Sequence, residues 1–203
     1  MNIRSVNKGA GGMPKSEEQC KQMRSDMRNK ILKMSSLYFA RNGFGDTKIS
    51  DLAKHIGIGQ GTIYLYFKSK EELFEEIRNK AGNREEIKKI KLLNKMPLPA
   101  RDKLNKISEE VCKHLSDDEE YCVKITIQTQ LLLEREDMYD DELYKELSKL
   151  IKQGQKEGSF IKTDAMYLAD LYWGNVYLYA LKRLFSKNMA ALKKETLNRL
   201  VEI

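Results

Sequence analysis

Residues 57–73 read GIGQGTIYLYFKSKEEL, and this stretch opens with glycines at the alternate positions 57, 59 and 61. Glycine-rich runs often surround a phosphate group, because backbone N–H groups without bulky side chains can approach it closely. The phosphate could belong to a nucleotide, which would indicate an enzyme, or to DNA. The residues on either side of the run distinguish these two possibilities.

Neither common nucleotide-binding motif matches the run. A dinucleotide-binding loop follows a β-strand and opens a helix, whereas residues 49–56, ISDLAKHI, carry apolar side chains at the helical spacing i, i+3, i+4 and i+7. A P-loop ends in Gly-Lys followed by Ser or Thr, but Lys68 and Lys70 come only after a further helical segment. We therefore expect no nucleotide at this position.

A helix-turn-helix explains the same residues. Thr47 is expected to cap the short helix over residues 49–56, and Gly57 to end it at a left-handed backbone position. A second helix over residues 60–67 would then lie in the major groove of DNA. Gly59 and Gly61 leave the start of this second helix without bulk, so that its backbone can approach the DNA closely.

A rotation of 100° per residue assigns the side chains of the second helix to its faces. Ile63 and Phe67 point toward the core. The opposite side, which would face base edges, carries Gly61, Thr62 and Leu65, and Gln60 stands at the start of the helix, where recognition helices contact bases. Tyr64 and Tyr66 fall on the two flanks, where their hydroxyl groups suit phosphate contacts. Lys70 adds a positive charge near the N-terminus of the following helix, which also attracts phosphate.

Residues 28–74 resemble the N-terminal DNA-binding domain of the TetR family of transcriptional regulators. The matching residues are Ile31, Phe39, Gly43, Phe44, Thr47, Leu52, Ala53, Gly57, Gly61, Thr62, Ile63, Tyr64, Phe67, Ser69, Lys70, Glu71 and Leu73. The resemblance covers about a quarter of the chain. Two positions depart from the family pattern: Gly59 replaces the usual Ser that opens the recognition helix, and Leu65 stands where a polar or aromatic residue is common.

The resemblance implies a homodimer that represses transcription by occupying a palindromic double-stranded DNA operator. A small molecule entering the C-terminal domain would release it. Carried over to this sequence, the resemblance places Thr47 and Lys48 on DNA at the start of the first short helix. It assigns base contacts to Gln60, Gly61 and Thr62, and phosphate contacts to Tyr64, Tyr66 and Lys70.

The rest of the chain is also expected to be helical, which makes the fold class all-α. Spacing predicts a helix from residue 15 to Asn42 and a long one that opens with a capping box over residues 69–72 and ends before Pro97. Further helices are predicted over residues 104–115, 119–136, 142–152, 164–185 and 189–201. Residues 121–127 alternate as a strand would, but a lone strand among helices would have no partner.

These elements suggest three regions. Residues 1–14 would form a flexible tail, residues 15–84 a three-helix DNA-binding domain with the helix-turn-helix, and residues 85–203 a helical ligand-binding and dimerisation domain. Charge is distributed in the same way, since residues 1–70 contain 13 Lys and Arg against 5 Asp and Glu. The basic surface that would attract DNA therefore belongs to the first third of the chain.

The segment 164–185 is apolar almost all round, so it must be buried on more than one side. One side is expected to line a pocket for a small hydrophobic ligand, with Tyr121, Trp173 and Tyr177 as candidate contacts. Another side would form a four-helix dimer interface of the TetR type together with the last helix. The candidate interface residues are Leu168, Tyr172, Tyr179, Leu192 and Leu200. Any one of these side chains could instead belong to the plain core.

Composition limits the remaining possibilities. Three widely spaced cysteines and the absence of paired metal-binding motifs predict a cytoplasmic protein without a structural metal or cofactor. No segment has the length and apolarity of a membrane span. Two other functions stay open: an architectural DNA-binding protein without a ligand, and an enzyme of helical fold. An enzymatic function lacks support because His55 and His114 have no evident catalytic partners in the sequence.

Overall fold

The structure, a computed structural model, describes residues 16–82, 84–133, 136–137, 141–186 and 188–203. The predicted tail over residues 1–14 lies outside these residues. The helices are α1 Glu17–Asn42, α2 Ile49–Ile56, α3 Gln60–Tyr64, α4 Lys70–Ala81, α5 Arg84–Lys95, α6 Ala100–Asp117, α7 Glu119–Leu133, α8 Glu142–Glu157, α9 Ala165–Phe185 and α10 Lys194–Asn198. No strand occurs among the described residues apart from one isolated bridge between Phe160 and Glu202. The all-α prediction is confirmed.

Helices α1 to α4 enclose a small core of their own. Its fully buried members include Ile31, Phe39, Leu52, Ile56, Ile63, Phe67, Leu73 and Ile77. An aromatic cluster closes one end, where the rings of Phe44 and Phe74 stack at 4.3 Å and Phe39 meets Phe74 edge-on at 5.4 Å. Such aromatic pairs add to the burial of apolar surface. This core holds α2 and α3 at a fixed angle against the longer helices.

An ion pair ties α1 to α4. The Arg28 guanidinium donates through two nitrogens to the two carboxylate oxygens of Glu76, and the same guanidinium lies 4.7 Å from the centre of the Phe67 ring. These hydrogen bonds from Arg28 lower the pKa of Glu76. Arg28 therefore connects α1, α4 and the segment that follows α3. Sequence spacing could not reveal this contact, since Arg28 and Glu76 lie 48 positions apart.

The C-terminal helices pack around α9. Helices α7 and α8 lie against its two sides, α5 and α6 pack on α8, and α10 packs on α6. A buried polar network joins three of these helices, because the Ser108 hydroxyl donates to Asn198 and is hydrogen-bonded to the Tyr172 hydroxyl at 2.8 Å. Asn198 in turn donates to Asn105. The Ser108 and Tyr172 hydroxyls and both ends of the Asn198 amide thus have partners, as a buried network requires.

Several predicted boundaries need correction. The long helix expected after residue 69 is two helices, since α4 ends at Ala81 and α5 begins at Arg84. Gly82 leaves the helical conformation with φ −48° and ψ 137°. The helix expected over residues 189–201 is only α10, five residues long. The helix predicted over residues 142–152 continues to Glu157 as α8, and Gly154 lies inside it, where a Cβ would come within 2.1 Å of the buried Phe160 ring.

The ambiguous segment 121–127 is helical, as predicted. Its apolar side chains alternate because nearly every face of α7 is covered: Cys122, Val123, Ile125, Thr126 and Ile127 are all buried. A helix surrounded on most sides does not need the usual single apolar stripe. No helix in the described part of the chain is long and apolar enough to cross a membrane.

Candidate nucleic-acid interface and ligand cavities

The turn between α2 and α3 has the geometry expected of a helix-turn-helix. Gly57 adopts φ 75° and ψ 36°, in the left-handed region. Its N–H donates to the Lys54 carbonyl at 3.2 Å, while the Ile58 N–H donates to the Ala53 carbonyl at 3.0 Å. These two bonds form a Schellman motif, which satisfies the last carbonyls of α2. The predicted role of Gly57 is confirmed.

Helix α3 presents a distinct outer face. Ile63 and Phe67 are buried, as their spacing predicts, and anchor α3 to the core. Away from these two anchors Gln60, Gly61 and Tyr64 are exposed, Thr62 is half-buried, and Leu65 is 82% exposed. An ideal Cβ placed on Gly61 would meet no atom within 4 Å. This face is therefore open to a partner, and its backbone can be approached without obstruction.

Tyr64 and Tyr66 differ in exposure. Tyr64 is 48% exposed on the outer flank, whereas Tyr66 is half-buried and packs against the core. Helix α3 itself ends at Tyr64, earlier than the predicted residue 67, although the Phe67 N–H still donates to the Ile63 carbonyl at 3.0 Å. Both tyrosines thus lie beside the outer face, with Tyr64 the more accessible of the two.

Thr47 does not cap α2. Its side chain is 6% exposed, and its hydroxyl donates back to the Gly43 carbonyl at 2.6 Å. The N-cap residue is Lys48, which makes no capping hydrogen bond from its side chain and is exposed. Thr47 therefore shapes the turn between α1 and α2, while Lys48 offers an exposed cation with no ion pair among the described residues at the start of α2.

Lys70 is engaged inside the chain. Its ammonium donates to the carbonyls of Phe44 at 3.0 Å, Gly45 at 3.2 Å and Thr47 at 3.1 Å, and lies 4.3 Å from the centre of the Phe44 ring. An ammonium has three N–H donors, and all three have partners here. The expected phosphate contact of Lys70 thus stays a prediction, since Lys70 already fixes the turn that carries Lys48.

Replacing Lys70 with Met should lower the free energy of unfolding by about 1 to 2 kcal/mol, because three carbonyls lose a charged donor. The methionine keeps an apolar stem on Phe44, so the change removes mainly the hydrogen bonds. Urea denaturation followed by circular dichroism measures the effect. Lys68→Met is the matched control, since Lys68 is exposed and, within the described part of the chain, only its backbone is hydrogen-bonded, to Glu72. Unchanged stability in Lys70→Met, combined with weaker DNA binding, would instead assign Lys70 to a phosphate.

Two cavities lie on either side of the start of α7. The first cavity, of about 580 Å³, lies between α1, α4 and α7. The second cavity, of about 500 Å³, lies between α5, α6, α7 and α9. Tyr121 lines both cavities and Trp173 lines the second. Tyr177, the third predicted ligand contact, is half-buried on α9 and lines neither cavity.

The predicted dimer-interface residues separate into two groups. Leu168 and Tyr172 are 2% and 1% exposed, because their face of α9 is covered inside the single chain. Neither is therefore available at the protein surface. Tyr179, Leu192 and Leu200 are half-buried, and the Tyr179 hydroxyl donates to the Ala190 carbonyl.

A different face of α9 is exposed and apolar. Tyr167, Leu178 and Phe185 are 55%, 45% and 65% exposed, and Leu171 is half-buried in line with them. Gly174 and Leu181 complete the series. We call this series the α9 stripe, and its members follow at intervals of four, three, four, three and four residues. Such spacing is typical of a seam between two packed helices.

The two buried cysteines are poor candidates for an oxidant sensor. Burial raises the pKa of both Cys112 and Cys122 to about 11. The reactive form of cysteine is the thiolate, so both groups stay protonated at neutral pH. Cys20 is exposed on α1.

Comparison with known proteins agrees with this geometry. Residues 31–77 match the family model described as bacterial regulatory proteins, tetR family. The chain is 40% identical over 52 residues to the uncharacterized HTH-type transcriptional regulator YdgC of Bacillus subtilis, covering 26% of this chain and 27% of that protein. It is 30% identical over 114 residues to the fatty acid metabolism regulator protein of Bacillus subtilis, covering 56% of this chain and 54% of that protein.

A solved structure shows the same fold. A transcriptional regulator from Saccharomonospora viridis, crystallised with choline, superposes with a TM-score of 0.56 at 22% identity, covering 88% of this chain and all of that one. The alignments with the two curated relatives span only about a quarter to a little over half of their lengths. All three relatives are described as regulators, which agrees with the expectation that the chain is not an enzyme. Residues 31–77 therefore carry the DNA-binding region of the tetR family of bacterial regulatory proteins.

Proposed function

We propose that this protein is a homodimeric transcriptional repressor of the cytoplasm that binds a palindromic operator and leaves it when a small apolar or aromatic ligand binds. Residues 15–84 would form the DNA-binding domain, and residues 85–203 the domain for ligand and dimerisation. The observation that carries the proposal is the open outer face of α3, held by a helix-turn-helix within the basic third of the chain. Recognition helices read base edges from such a face.

The exposed groups divide into two kinds of DNA contact. Gln60 and Thr62 would read base edges, because an amide or hydroxyl can hydrogen-bond to them. Leu65 would meet a thymine methyl group, since it is apolar and 82% exposed. Tyr64 and Lys48 would contact phosphates on either side of the groove. Tyr66, Thr47 and Lys70 would lie on the protein side of these groups and hold them in position.

A substitution at Gly61 tests whether the α3 backbone approaches the DNA bases closely. Gly61→Ala should leave folding stability unchanged or slightly higher, because its Cβ would meet no atom of the chain within 4 Å and alanine favours helix. It should weaken operator binding about tenfold, on the order of one lost base contact, because the methyl group stands between α3 and the base edges. Fluorescence anisotropy with labelled operator measures the affinity. Gly45→Ala is the matched control, since its Cβ is also unobstructed.

The α9 stripe supports the homodimer. A continuous apolar series along the whole of α9, a helix of 21 residues, would be unusual on a monomer surface. Two copies related by a two-fold axis would pack stripe against stripe, with Gly174 allowing close approach because nothing lies within 4 Å of its Cβ position. This arrangement assigns the interface to Tyr167, Leu171, Leu178 and Phe185 in place of the buried Leu168 and Tyr172.

The two cavities support a ligand. Each has a volume within the usual range of small-molecule sites and a partly apolar lining. Two of the relatives are associated with small molecules, since one is a regulator of fatty acid metabolism and the other was crystallised with choline. A ligand would shift the population of the chain toward a state in which the two copies of α3 no longer match half-sites one helical turn apart.

An architectural DNA-binding protein is the alternative. Both proteins would retard DNA in a gel, but an architectural protein shows little preference between sequences and a steep dependence on salt. A mobility-shift assay with the region upstream of the protein's own gene, with and without unrelated competitor DNA, distinguishes them. Binding that competitor DNA removes equally well would contradict the proposed repressor.

A further inference from the structure

The two cavities share one wall. Asp118, Tyr121 and Lys124 line both of them, and these residues follow one another at intervals of three, from the residue just before α7 through its first two turns. The first cavity lies on the side of α1 and α4, while the second lies on the side of α5, α6 and α9. A single layer of side chains, with Tyr121 as its largest member, therefore separates two spaces of about 580 and 500 Å³.

Tyr121 is held in this wall by packing alone. Its ring lies 5.1 Å from the His114 ring at an interplanar angle of 31°. Its backbone N–H donates to Asp118 at 3.0 Å, but its phenol has no hydrogen-bond partner among the described residues. Burial raises the pKa of the phenol, which is therefore neutral at physiological pH. A rotation of this side chain between staggered positions breaks no hydrogen bond and separates no charge.

We propose that the two cavities are the two ends of one binding site, joined when Tyr121 swings aside, and that the site takes a long unbranched carboxylate. This inference rests on the proposed function, because it specifies the ligand of the regulator. A chain too long for the second cavity alone would pass Tyr121 and place its end in the first cavity.

The lining assigns the two ends of such a ligand. The first cavity contains an apolar group on α1, α4 and α7, namely Met34, Leu37, Ile77, Ala81, Val123 and Ile127. This group suits the end of a hydrocarbon chain, since each buried CH₂ contributes favourably. Both cavities also have charged residues in their lining, and the second suits the head because its lining includes Lys106.

The carboxylate would pair with Lys106. Three glutamates line the second cavity, and each has a lysine partner: Glu85 with Lys88, Glu86 with Lys124 and Glu110 with Lys89. Asp118 is occupied by the first turn of α7, where it accepts the Tyr121 N–H. Lys106 lines the same cavity and has no ion pair among the described residues. It is thus the cation that a ligand carboxylate can reach without displacing a protein carboxylate.

The first cavity connects the ligand to the DNA-binding helices. Around it, α1 and α4 are held against α7 by the ion pairs of Lys33 with Glu120 and Arg41 with Glu119, and by a hydrogen bond from Gln128 to the Ala81 carbonyl. A hydrocarbon chain inserted there would press directly on α1 and α4. The chain end, rather than the head, would therefore move α3 relative to the rest of the protein.

The single tryptophan provides the measurement. Trp173 lines the second cavity and is the only tryptophan in the sequence, so its fluorescence reports occupancy of that cavity. Titration of the full-length protein with saturated fatty acids of 8, 12 and 16 carbons should show affinity rising about threefold to fourfold per methylene over the whole series. The n-alkanols of equal length should bind more weakly, and Lys106→Ala should remove that difference.

Blocking the first cavity tests whether the two cavities form one binding site or two independent sites. Val123→Phe places a larger side chain on its wall and should leave the 8-carbon acid unaffected while weakening the 16-carbon acid at least tenfold. Leu37→Phe, on the opposite wall, should act in the same way and serves as the second variant should Val123→Phe unfold. Tyr121→Phe, which keeps the wall, is the control.

Two results would overturn the inference. One is equal affinity for the 16-carbon acid in wild type and in both blocked variants. The other is a lack of any fluorescence change with the acids and the alkanols alike. Operator binding by the ligand-free protein is measured in parallel, so a failure of the proposed repressor function would be seen independently of the ligand result.

Discussion

Replacing Leu178 with glutamate should convert the protein to a monomer and reduce operator affinity by more than about a hundredfold. Leu178 lies in the middle of the α9 stripe and is 45% exposed in the single chain. In a two-fold symmetric interface each substitution occurs twice, so two carboxylates would be brought together in an apolar seam. Burial of an unpaired charge costs several kcal/mol. A monomer also contacts only one half-site, which removes about half of the contacts with DNA.

Sedimentation equilibrium and operator titration together measure this effect. Leu133→Glu is the matched control, because Leu133 lies on α7 outside the α9 stripe and is 57% exposed. This control also replaces an exposed leucine with glutamate, and it should leave both the dimer and the operator affinity unchanged. Dissociation in both variants would show that association does not depend on the α9 stripe. A dimeric Leu178→Glu variant would place the interface elsewhere.

The helix-turn-helix could be predicted in detail because its determinants are local. Gly57 needs a left-handed conformation, and Ile63 and Phe67 are four residues apart on one side of a helix. Ser69 caps α4 by accepting the Glu72 N–H at 3.1 Å, as the capping box predicts. The reciprocal bond is shifted by one residue, since the Glu72 carboxylate accepts from the Lys68 N–H. Interactions between residues at most four positions apart can be predicted from a sequence.

The role of Lys70 could not be predicted because its partners are distant in sequence. The carbonyls that it bonds belong to residues 44, 45 and 47, more than twenty positions away. A lysine at a helix N-terminus suggests a phosphate, and only the packing of the α1–α2 turn against α4 shows another partner. The ion pair of Arg28 with Glu76 was missed for the same reason.

The orientation of α9 also required the structure. Its sequence is apolar on most faces, so periodicity alone does not distinguish the face covered by α7 and α8 from the face left open. Leu168 and Tyr172 lie on the covered face, and Tyr167 and Leu171 are their immediate neighbours in sequence. A shift of one residue rotates the assignment by 100°. The prediction of a long helix here is therefore confirmed, whereas Leu168 and Tyr172, two of the predicted interface residues, are buried inside the single chain.

Exchanging Gln60 for alanine should change which DNA sequence the protein prefers, and exchanging Tyr64 for phenylalanine should not. Gln60 is exposed at the first position of α3, where an amide can form two hydrogen bonds with an adenine edge. Its loss should cost about 1 to 3 kcal/mol against the cognate base and little against other bases. Affinity for the operator would fall about 10- to 100-fold, while binding to unrelated DNA stays the same.

Tyr64→Phe removes only a hydroxyl on the flank of α3. If that hydroxyl contacts a phosphate, its loss should cost about 1 kcal/mol on every DNA sequence alike. Competition assays over a set of operators, each with one base pair changed, separate the two patterns. The Gln60→Ala variant should lose discrimination at one base pair of each half-site, and Tyr64→Phe should keep the wild-type ranking. A uniform loss in both variants would mean that α3 holds DNA without reading its sequence, as expected of an architectural protein.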